Sequence, residues 1–218
     1  MSDFLAKPKS NPRGGILVLH AWWGLNDFFK DFCNRLANEG YTILAPDLYD
    51  GAIAKTILEA EKLRTKLKRE LTSKQILQSL EQLKTEVGKK PVGLIGFSLG
   101  AYWGLWLVDE KPKTFAAVVS FYGTRGMKCA ETNSAFLGHF AETDEYVSGS
   151  GRKKMEKTLT AAGGNVSFHV YPNTRHWFFE NDRPEYNAQA AELAWERTTE
   201  FLKTHLVGSG LFSSNKFS

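Results

Sequence analysis

A serine flanked by glycines is the first feature of this sequence that could carry chemistry. Gly96-Phe97-Ser98-Leu99-Gly100 fits the pattern Gly-x-Ser-x-Gly. It follows the apolar run VGLI and precedes a helical pattern, which predicts a strand, a tight turn and a helix. Such a turn raises the serine hydroxyl above a sheet, beside the positive end of a helix. The pattern predicts that Ser98 is a nucleophile; the alternative is that Ser98 only caps the helix.

A serine hydroxyl attacks only when a base removes its proton, and a histidine can serve as that base. The chain has five histidines. Four of them fall at or near predicted strands or at the end of the last predicted helix: His20, His139, His169 and His205. Only His176 falls in a loop after the last predicted strand, in YPNTRHWFF. We expect His176 to reach back to Ser98, although a loop histidine can also be a plain surface residue.

An acidic residue is expected between the serine and the histidine in the chain, where it would orient the imidazole. The loop after the strand predicted at 135–141 carries Glu142, Asp144 and Glu145. We favour Asp144 because it lies beyond the strand end, where a short carboxylate can meet the imidazole. Either glutamate remains an alternative.

Two backbone N–H groups must face the negative charge that develops when a serine attacks a carbonyl group. We expect one from Leu99, the residue after the nucleophile, and the other from Trp22 in HAWWGLN. Aromatic side chains near these loops are predicted to line a substrate pocket, with core packing as the alternative. The pocket candidates are Trp22, Trp23, Phe97, Tyr122 and Trp177.

The elements that must position these residues alternate between apolar strand patterns and helical patterns. This order predicts an α/β fold with a mostly parallel sheet and helices on both faces. A helix is expected to start at Asn26 and another at Thr72 or Ser73, with a closing helix from Glu185 to His205. Strands are expected at 15–20, 41–45, 92–95, 115–121, 135–141 and 166–171.

Length and composition favour one enzyme-sized domain. The 218 residues are 42% hydrophobic with a net charge of +4; we expect residues 1–207 to form a single domain and residues 208–218 a flexible tail. The lysines are scattered, which argues against a nucleic-acid partner. No run is long enough for a membrane span or a signal peptide, and Cys33 and Cys129 make no metal motif. We expect a cytoplasmic monomer or homodimer without a cofactor or metal.

Taken together, HAWWGLN, APDLYDG, GLIGFSLGA, SFYG, AETDEYV and YPNTRHWFF resemble the dienelactone hydrolase family, from about residue 15 to 206. The resemblance implies an α/β-hydrolase fold with no cofactor and a catalytic triad of nucleophile, Asp and His. Carried over by position, the triad is Ser98, Asp144 and His176. The backbone donors to the oxyanion are then Leu99 and Trp22.

The sequence departs from the family pattern at three positions. Ser98 stands where the best-known members have a cysteine, and Ala21 stands where they have a glutamate that gates thiolate formation. These two changes fit each other, because a serine enzyme has no thiolate to gate. Glu180 stands where members that act on anionic lactones have an arginine for the substrate carboxylate. A carboxylate there is expected to repel such substrates, unless Arg64, Arg125 or Arg183 restores a cation.

These features predict a serine carboxylic ester hydrolase, an esterase or lactonase for a small ester with an apolar part. Acyl transfer or perhydrolysis at the same site is an alternative, since it differs only in the second nucleophile. A non-catalytic ligand-binding protein on the same fold is another, because fold does not determine function. The composition assigns no role to residues 48–71.

Overall fold

A computed structural model describes residues 3–128 and 131–206 of the protein. The predicted tail, residues 208–218, lies outside the described residues, as does Cys129. The strands are β1 (Phe4–Ala6), β2 (Gly15–Leu19), β3 (Thr42–Ala45), β4 (Val92–Phe97), β5 (Phe115–Phe121), β6 (Ala135–Thr143) and β7 (Asn165–Arg175). The helices are α1 (Asp27–Asn38), α2 (Ile57–Lys66), α3 (Arg69–Val87), α4 (Leu99–Glu110), α5 (Gly149–Ala161) and α6 (Ala188–His205).

The strands form a seven-stranded sheet in the order β1-β3-β2-β4-β5-β6-β7. Strands β2 to β7 pair in parallel, whereas β1 pairs antiparallel with β3 at the edge. The sequence analysis predicted the parallel strands and missed β1. A strand of three residues is too short to show an alternating pattern.

Two apolar layers cover the sheet. Residues Leu17 and Leu19 of β2 pack with α3 and α4, whereas Ile16 and Val18 face α1 and α6. Burial on both faces explains why β2 reads as a continuous apolar run rather than as an alternating one. The predicted α/β architecture with helices on both faces is confirmed.

Several element ends differ from the sequence-based expectations. Helix α3 begins at Arg69 rather than at Thr72 or Ser73, and no side chain caps its first turn. Helix α6 begins only at Ala188, because Asn187 accepts a hydrogen bond from the Ala190 N–H and caps it. Within residues 3–128 and 131–206, no helix is long and apolar enough to cross a membrane.

Parallel strands bring their carboxyl ends to one edge of the sheet, which is where open α/β folds place their sites. Ser98 follows β4, Asp144 follows β6 and His176 follows β7. Trp22 lies just beyond β2, the neighbour of β4. The fold therefore gathers the sequence-predicted residues along this edge.

Candidate active site

The turn that holds Ser98 has a strained backbone. Its φ is 50°, a left-handed conformation that non-glycine residues rarely adopt and that costs on the order of 1–3 kcal/mol. A Cβ at Gly96 would lie 2.6 Å from Cα of Ala101, and one at Gly100 would lie 2.6 Å from the carbonyl oxygen of His20. Only glycine fits these two positions, so the close approach of strand and helix dictates the Gly-x-Ser-x-Gly pattern.

His176 lies directly after β7 and contacts both other members of the predicted triad. Its Nε2 is 2.9 Å from the Ser98 hydroxyl oxygen. Its Nδ1 is 2.9 Å and 2.8 Å from the two carboxylate oxygens of Asp144. A carboxylate only accepts, so Nδ1 carries the hydrogen and Nε2 is left to accept the proton of Ser98. The three side chains form one continuous chain of hydrogen bonds.

The two glutamates that the sequence left as alternatives lie elsewhere. Glu142 accepts a hydrogen bond from the Asn173 N–H at 2.9 Å, and Glu145 is exposed. Asp144 is held by its own loop, because its Oδ1 accepts hydrogen bonds from the N–H groups of Tyr146 and Val147 at 2.8 Å and 2.9 Å. Those two bonds fix the carboxylate before it meets the imidazole.

The expected oxyanion donors belong to two segments, the start of α4 and the turn after β2. Leu99 is the first residue of α4, and the first N–H groups of a helix have no partner within it. Trp22 lies in a turn closed by a 3.3 Å hydrogen bond from the Gly24 N–H to the Ala21 oxygen. The closeness of Gly100 to the end of β2 places this turn beside the serine.

Buried His20 supports that turn, a role that the sequence analysis did not assign to it. Its Nε2 accepts a hydrogen bond from the Leu48 N–H at 3.1 Å, so its Nδ1 donates to the Ala21 oxygen at 2.6 Å. Burial lowers the pKa of His20, which favours this neutral form. His20 thereby ties the turn to the segment after β3.

Aromatic rings enclose the imidazole of His176. Trp22 and Trp177 stack at 5.9 Å between ring centroids, and Trp23 meets Trp177 edge to face at 5.1 Å. Tyr146 lies 4.8 Å from the imidazole and 5.5 Å from Trp22, and it is 47% exposed. The sequence analysis missed Tyr146; its place two residues after Asp144 was the available signal.

Three of the predicted pocket residues present no surface to a substrate. Phe97 is fully buried and stacks on Phe121 at 4.4 Å, so it belongs to the core. Tyr122 and Glu180 also have no exposed surface. Direct contact of these side chains with a substrate was expected and is corrected here, because they pack behind the site rather than along its opening.

Glu180 does not provide the negative charge that the sequence suggested. Burial is the main cause that raises its pKa, to about 8, and the nearby carboxylates of Asp182 and Glu185 raise it further. Its Oε1 accepts a hydrogen bond from the Tyr122 hydroxyl at 2.6 Å, and its Oε2 has no hydrogen-bond partner. At neutral pH the side chain is mostly an uncharged carboxylic acid, so repulsion of a substrate carboxylate is not its effect.

The three arginines considered as replacement cations lie apart from the triad. Arg183 packs over the Trp23 ring at 4.1 Å and pairs with Asp182 at 2.8 Å. Arg64 and Arg125 line a cavity of about 390 Å³ that reaches Leu99.

A hydrogen bond joins the loop after β2 to the loop after β7. The Asn26 side-chain amide donates to Asp182 at 2.8 Å while its Oδ1 accepts from the Phe29 N–H and caps α1. The segments that carry Trp22 and His176 are thereby linked.

Among the described residues, no group of three His, Cys, Asp or Glu side chains is placed to hold a metal ion.

A mostly parallel sheet with a serine on the tight turn between its central strand β4 and helix α4 defines an α/β-hydrolase. Comparison with known proteins gives the family. Residues 1–206 match the sequence profile of the Dienelactone hydrolase family, and the chain belongs to this family.

Individual relatives agree with this assignment. The chain is 31% identical over 216 residues to a protein of Aquifex aeolicus (strain VF5) named "Putative carboxymethylenebutenolidase", with 93% of each chain covered. The fold of the present chain is similar to that of the "Putative Dienelactone Hydrolase" of Klebsiella pneumoniae subsp. pneumoniae, with a TM-score of 0.78, 24% identity and 92% of each chain covered. It is also similar to a dienelactone hydrolase-like promiscuous phosphotriesterase from metagenomic libraries, with a TM-score of 0.78, 24% identity and coverage of 92% of this chain and 89% of that one.

Proposed function

We propose that this protein is a serine hydrolase that cleaves a small ester or lactone through an acyl-enzyme. The observation that carries the proposal is the unbroken hydrogen-bond chain from Ser98 through His176 to Asp144. A hydroxyl, an imidazole with a free acceptor nitrogen and a fixed carboxylate are the groups that nucleophilic acyl transfer needs.

In the first half-reaction, Ser98 Oγ attacks the substrate carbonyl carbon and its proton moves to Nε2 of His176. The N–H groups of Leu99 and Trp22 stabilise the oxygen that becomes negative. The bond to the leaving oxygen then breaks, and that oxygen takes the proton from His176. Asp144 keeps the imidazole oriented and stabilises its charged form, without taking the proton itself.

In the second half-reaction, water replaces the leaving group. His176 takes a proton from the water as it attacks the acyl carbon, and it returns that proton to Ser98 Oγ when the ester bond to the enzyme breaks. The balance is one water consumed: an ester releases one carboxylic acid and one alcohol, and a lactone releases a single hydroxy acid. No cofactor or metal is required for either half.

The proposed substrate is small and carries an apolar or aromatic part. Half-exposed Tyr146 presents its ring next to His176, and Trp22 packs against Tyr146; such rings favour apolar groups. Position 180 holds a buried acid rather than a guanidinium, so no bidentate partner for a substrate carboxylate comes from there. A cytoplasmic location and a monomeric or dimeric state remain predictions.

Labelling with a fluorophosphonate tests the nucleophile directly. We expect one equivalent of probe on wild type and none on Ser98→Ala, with turnover of an aryl ester lowered by on the order of 10³-fold or more in the variant. Ser167→Ala, which changes an exposed serine of β7, is the matched control and should label like wild type. Labelling that survives in Ser98→Ala would assign the nucleophile to another residue, whereas no labelling and no turnover in wild type would favour a binding protein.

Acyl transfer is separated from hydrolysis by the second nucleophile. Adding an alcohol or hydrogen peroxide to the aryl ester assay diverts the acyl group to a new product if that nucleophile outcompetes water. The proposal of a hydrolase expects the free acid to stay the main product. A transferred acyl group as the main product at millimolar acceptor would make the protein an acyltransferase.

A further inference from the structure

Glu180 and Tyr122 form a buried pair behind the imidazole of His176. Neither side chain has exposed surface, and the hydroxyl of Tyr122 donates to Oε1 of Glu180 at 2.6 Å. The Tyr122 ring lies 4.9 Å from the His176 ring. The remaining oxygen of the carboxyl group, Oε2, is buried without a hydrogen-bond partner. The reaction steps proposed above leave this pair without a role.

Tyr122 directly follows β5, whose last residue is hydrogen-bonded to the serine turn. Its N–H donates to the His139 oxygen at 2.7 Å, and the oxygen of the preceding residue, Phe121, accepts the Ser98 N–H at 2.9 Å. Its φ of 36° is left-handed, so the backbone directs this side chain at some energetic cost. A ring fixed to the serine's neighbouring strand and resting on the imidazole can set the distance between Ser98 and His176.

We propose that Glu180 is a positioning residue: its hydrogen bond to Tyr122 holds the phenol ring against His176 and keeps Nε2 within reach of Ser98. This inference rests on the proposed serine mechanism. The side chain of Glu180 is hydrogen-bonded to Tyr122 rather than to Ser98 or His176, so it acts on the imidazole indirectly, through Tyr122 and through the turn from Trp177 to Glu180.

The pair works while Glu180 is uncharged. The charged groups that face it are Asp182, Arg183 and Glu185 from its own segment, while Asp144 from the loop after β6 faces Tyr122. Burial raises the pKa of Glu180 to about 8; Asp182 and Glu185 add to this effect, and Tyr122 and Arg183 oppose it. Burial also raises the pKa of Tyr122 well above its usual value, so its hydroxyl stays a donor.

Ionisation of Glu180 creates a buried charge whose Oε2 has no donor. A buried carboxylate without a donor is costly, and we expect water to reach it by opening the turn from Trp177 to Glu180, which one backbone hydrogen bond closes. That turn directly follows His176, so its opening frees the imidazole from Tyr122. The turnover number is therefore expected to fall as the pH rises past about 8.

Two substitutions separate positioning from mere packing. Glu180→Gln keeps an acceptor for Tyr122 and cannot ionise, whereas Glu180→Ala removes the acceptor. We expect the kcat of Glu180→Ala for an aryl ester at pH 7 to be about 10- to 100-fold below that of Glu180→Gln, because an imidazole displaced by about 1 Å can cost that much. KM should differ by less than about 3-fold, since neither variant alters the substrate surface. Glu192→Gln, at an exposed position of α6, is the control.

The pH profile of kcat gives the second readout. In wild type and Glu192→Gln, kcat at pH 9.5 should be at least about 5-fold lower than kcat at pH 7. In Glu180→Gln the two values should agree within about 2-fold. Equal kcat values for Glu180→Gln and Glu180→Ala, or superimposable profiles for wild type and Glu180→Gln, would overturn the proposal.

Infrared difference spectroscopy keeps this test independent of catalysis. A protonated carboxyl band at pH 7 that disappears in Glu180→Gln is expected even if the protein has no esterase activity. With fluorophosphonate labelling intact and the band missing, the account of Glu180 fails while the serine mechanism stands. With the band present and no labelling of Ser98, the serine mechanism fails instead.

Discussion

Replacing Glu180 by glutamine should make the free energy of unfolding decrease less as the pH rises. The side chain is fully buried, and its pKa is raised from an ordinary value of 4.5 to about 8. An acid whose pKa is higher in the folded state holds its proton there and loses it on unfolding. Its contribution to stability is therefore full below pH 4.5 and is lost progressively as the pH rises towards 8. Glutamine does not ionise, so the variant lacks this pH-dependent decrease in stability.

The size of the effect follows from the two pKa values. A pKa difference of one corresponds to about 1.4 kcal/mol. Between pH 5 and pH 7 the free energy of unfolding of wild type should therefore fall by roughly 2–3 kcal/mol relative to Glu180→Gln. The amide nitrogen of the glutamine takes the place of Oε2, which has no partner in wild type either. That substitution changes the free energy of unfolding by an amount that does not depend on pH. The slope of this free energy against pH therefore reports only the ionisation of Glu180.

Urea unfolding at half-unit steps from pH 5 to pH 9 measures this slope. Wild type and Glu192→Gln, which lacks only an exposed carboxylate, should decline together, and Glu180→Gln should decline less. The difference should level off above about pH 8. If the three curves stay parallel within about 0.5 kcal/mol, Glu180 ionises normally in the folded protein and the burial argument is wrong.

Three further predictions concern the site. Asp144→Asn should lower kcat by on the order of 10³- to 10⁴-fold, because the imidazole loses its tautomer, while Glu145→Gln at an exposed carboxylate should change it little in the same ester assay. Tyr146→Ala should raise KM for aryl esters by about 10-fold and for short alkyl esters by less than about 3-fold, through the loss of one aromatic contact; equal increases would place the aryl group elsewhere. Neutral aryl esters should be cleaved faster than matched carboxylated ones. A preference for the carboxylated ester that is lost in Arg64→Gln would instead place an anion subsite in the cavity beside Leu99.

Much of the site could be predicted from short stretches of sequence. The serine turn is specified by five consecutive residues, because Gly96 and Gly100 meet neighbouring backbone that excludes a side chain. The order of strands and helices then decided which edge of the sheet carries the loops. His176 was recognisable because it alone among the five histidines lies in a loop after the last strand, whereas His205 ends the closing helix.

Tertiary structure alone decided how these residues are partnered and buried. Three acidic residues lie within four positions at the end of β6, and only the fold shows that the amides of Tyr146 and Val147 hold Asp144 towards His176. From the sequence we expected a charged Glu180 at the substrate, whereas the structure buries it against Tyr122, and burial raises its pKa. The physical reason is the separation along the chain between the residues that interact, and whether their interaction restricts the residue type. A steric requirement for glycine is visible in the residue type itself, even at Gly100, where the backbone that excludes a side chain belongs to His20. Burial and hydrogen-bond partners depend on segments that are distant in the chain and leave no such mark in the residue type.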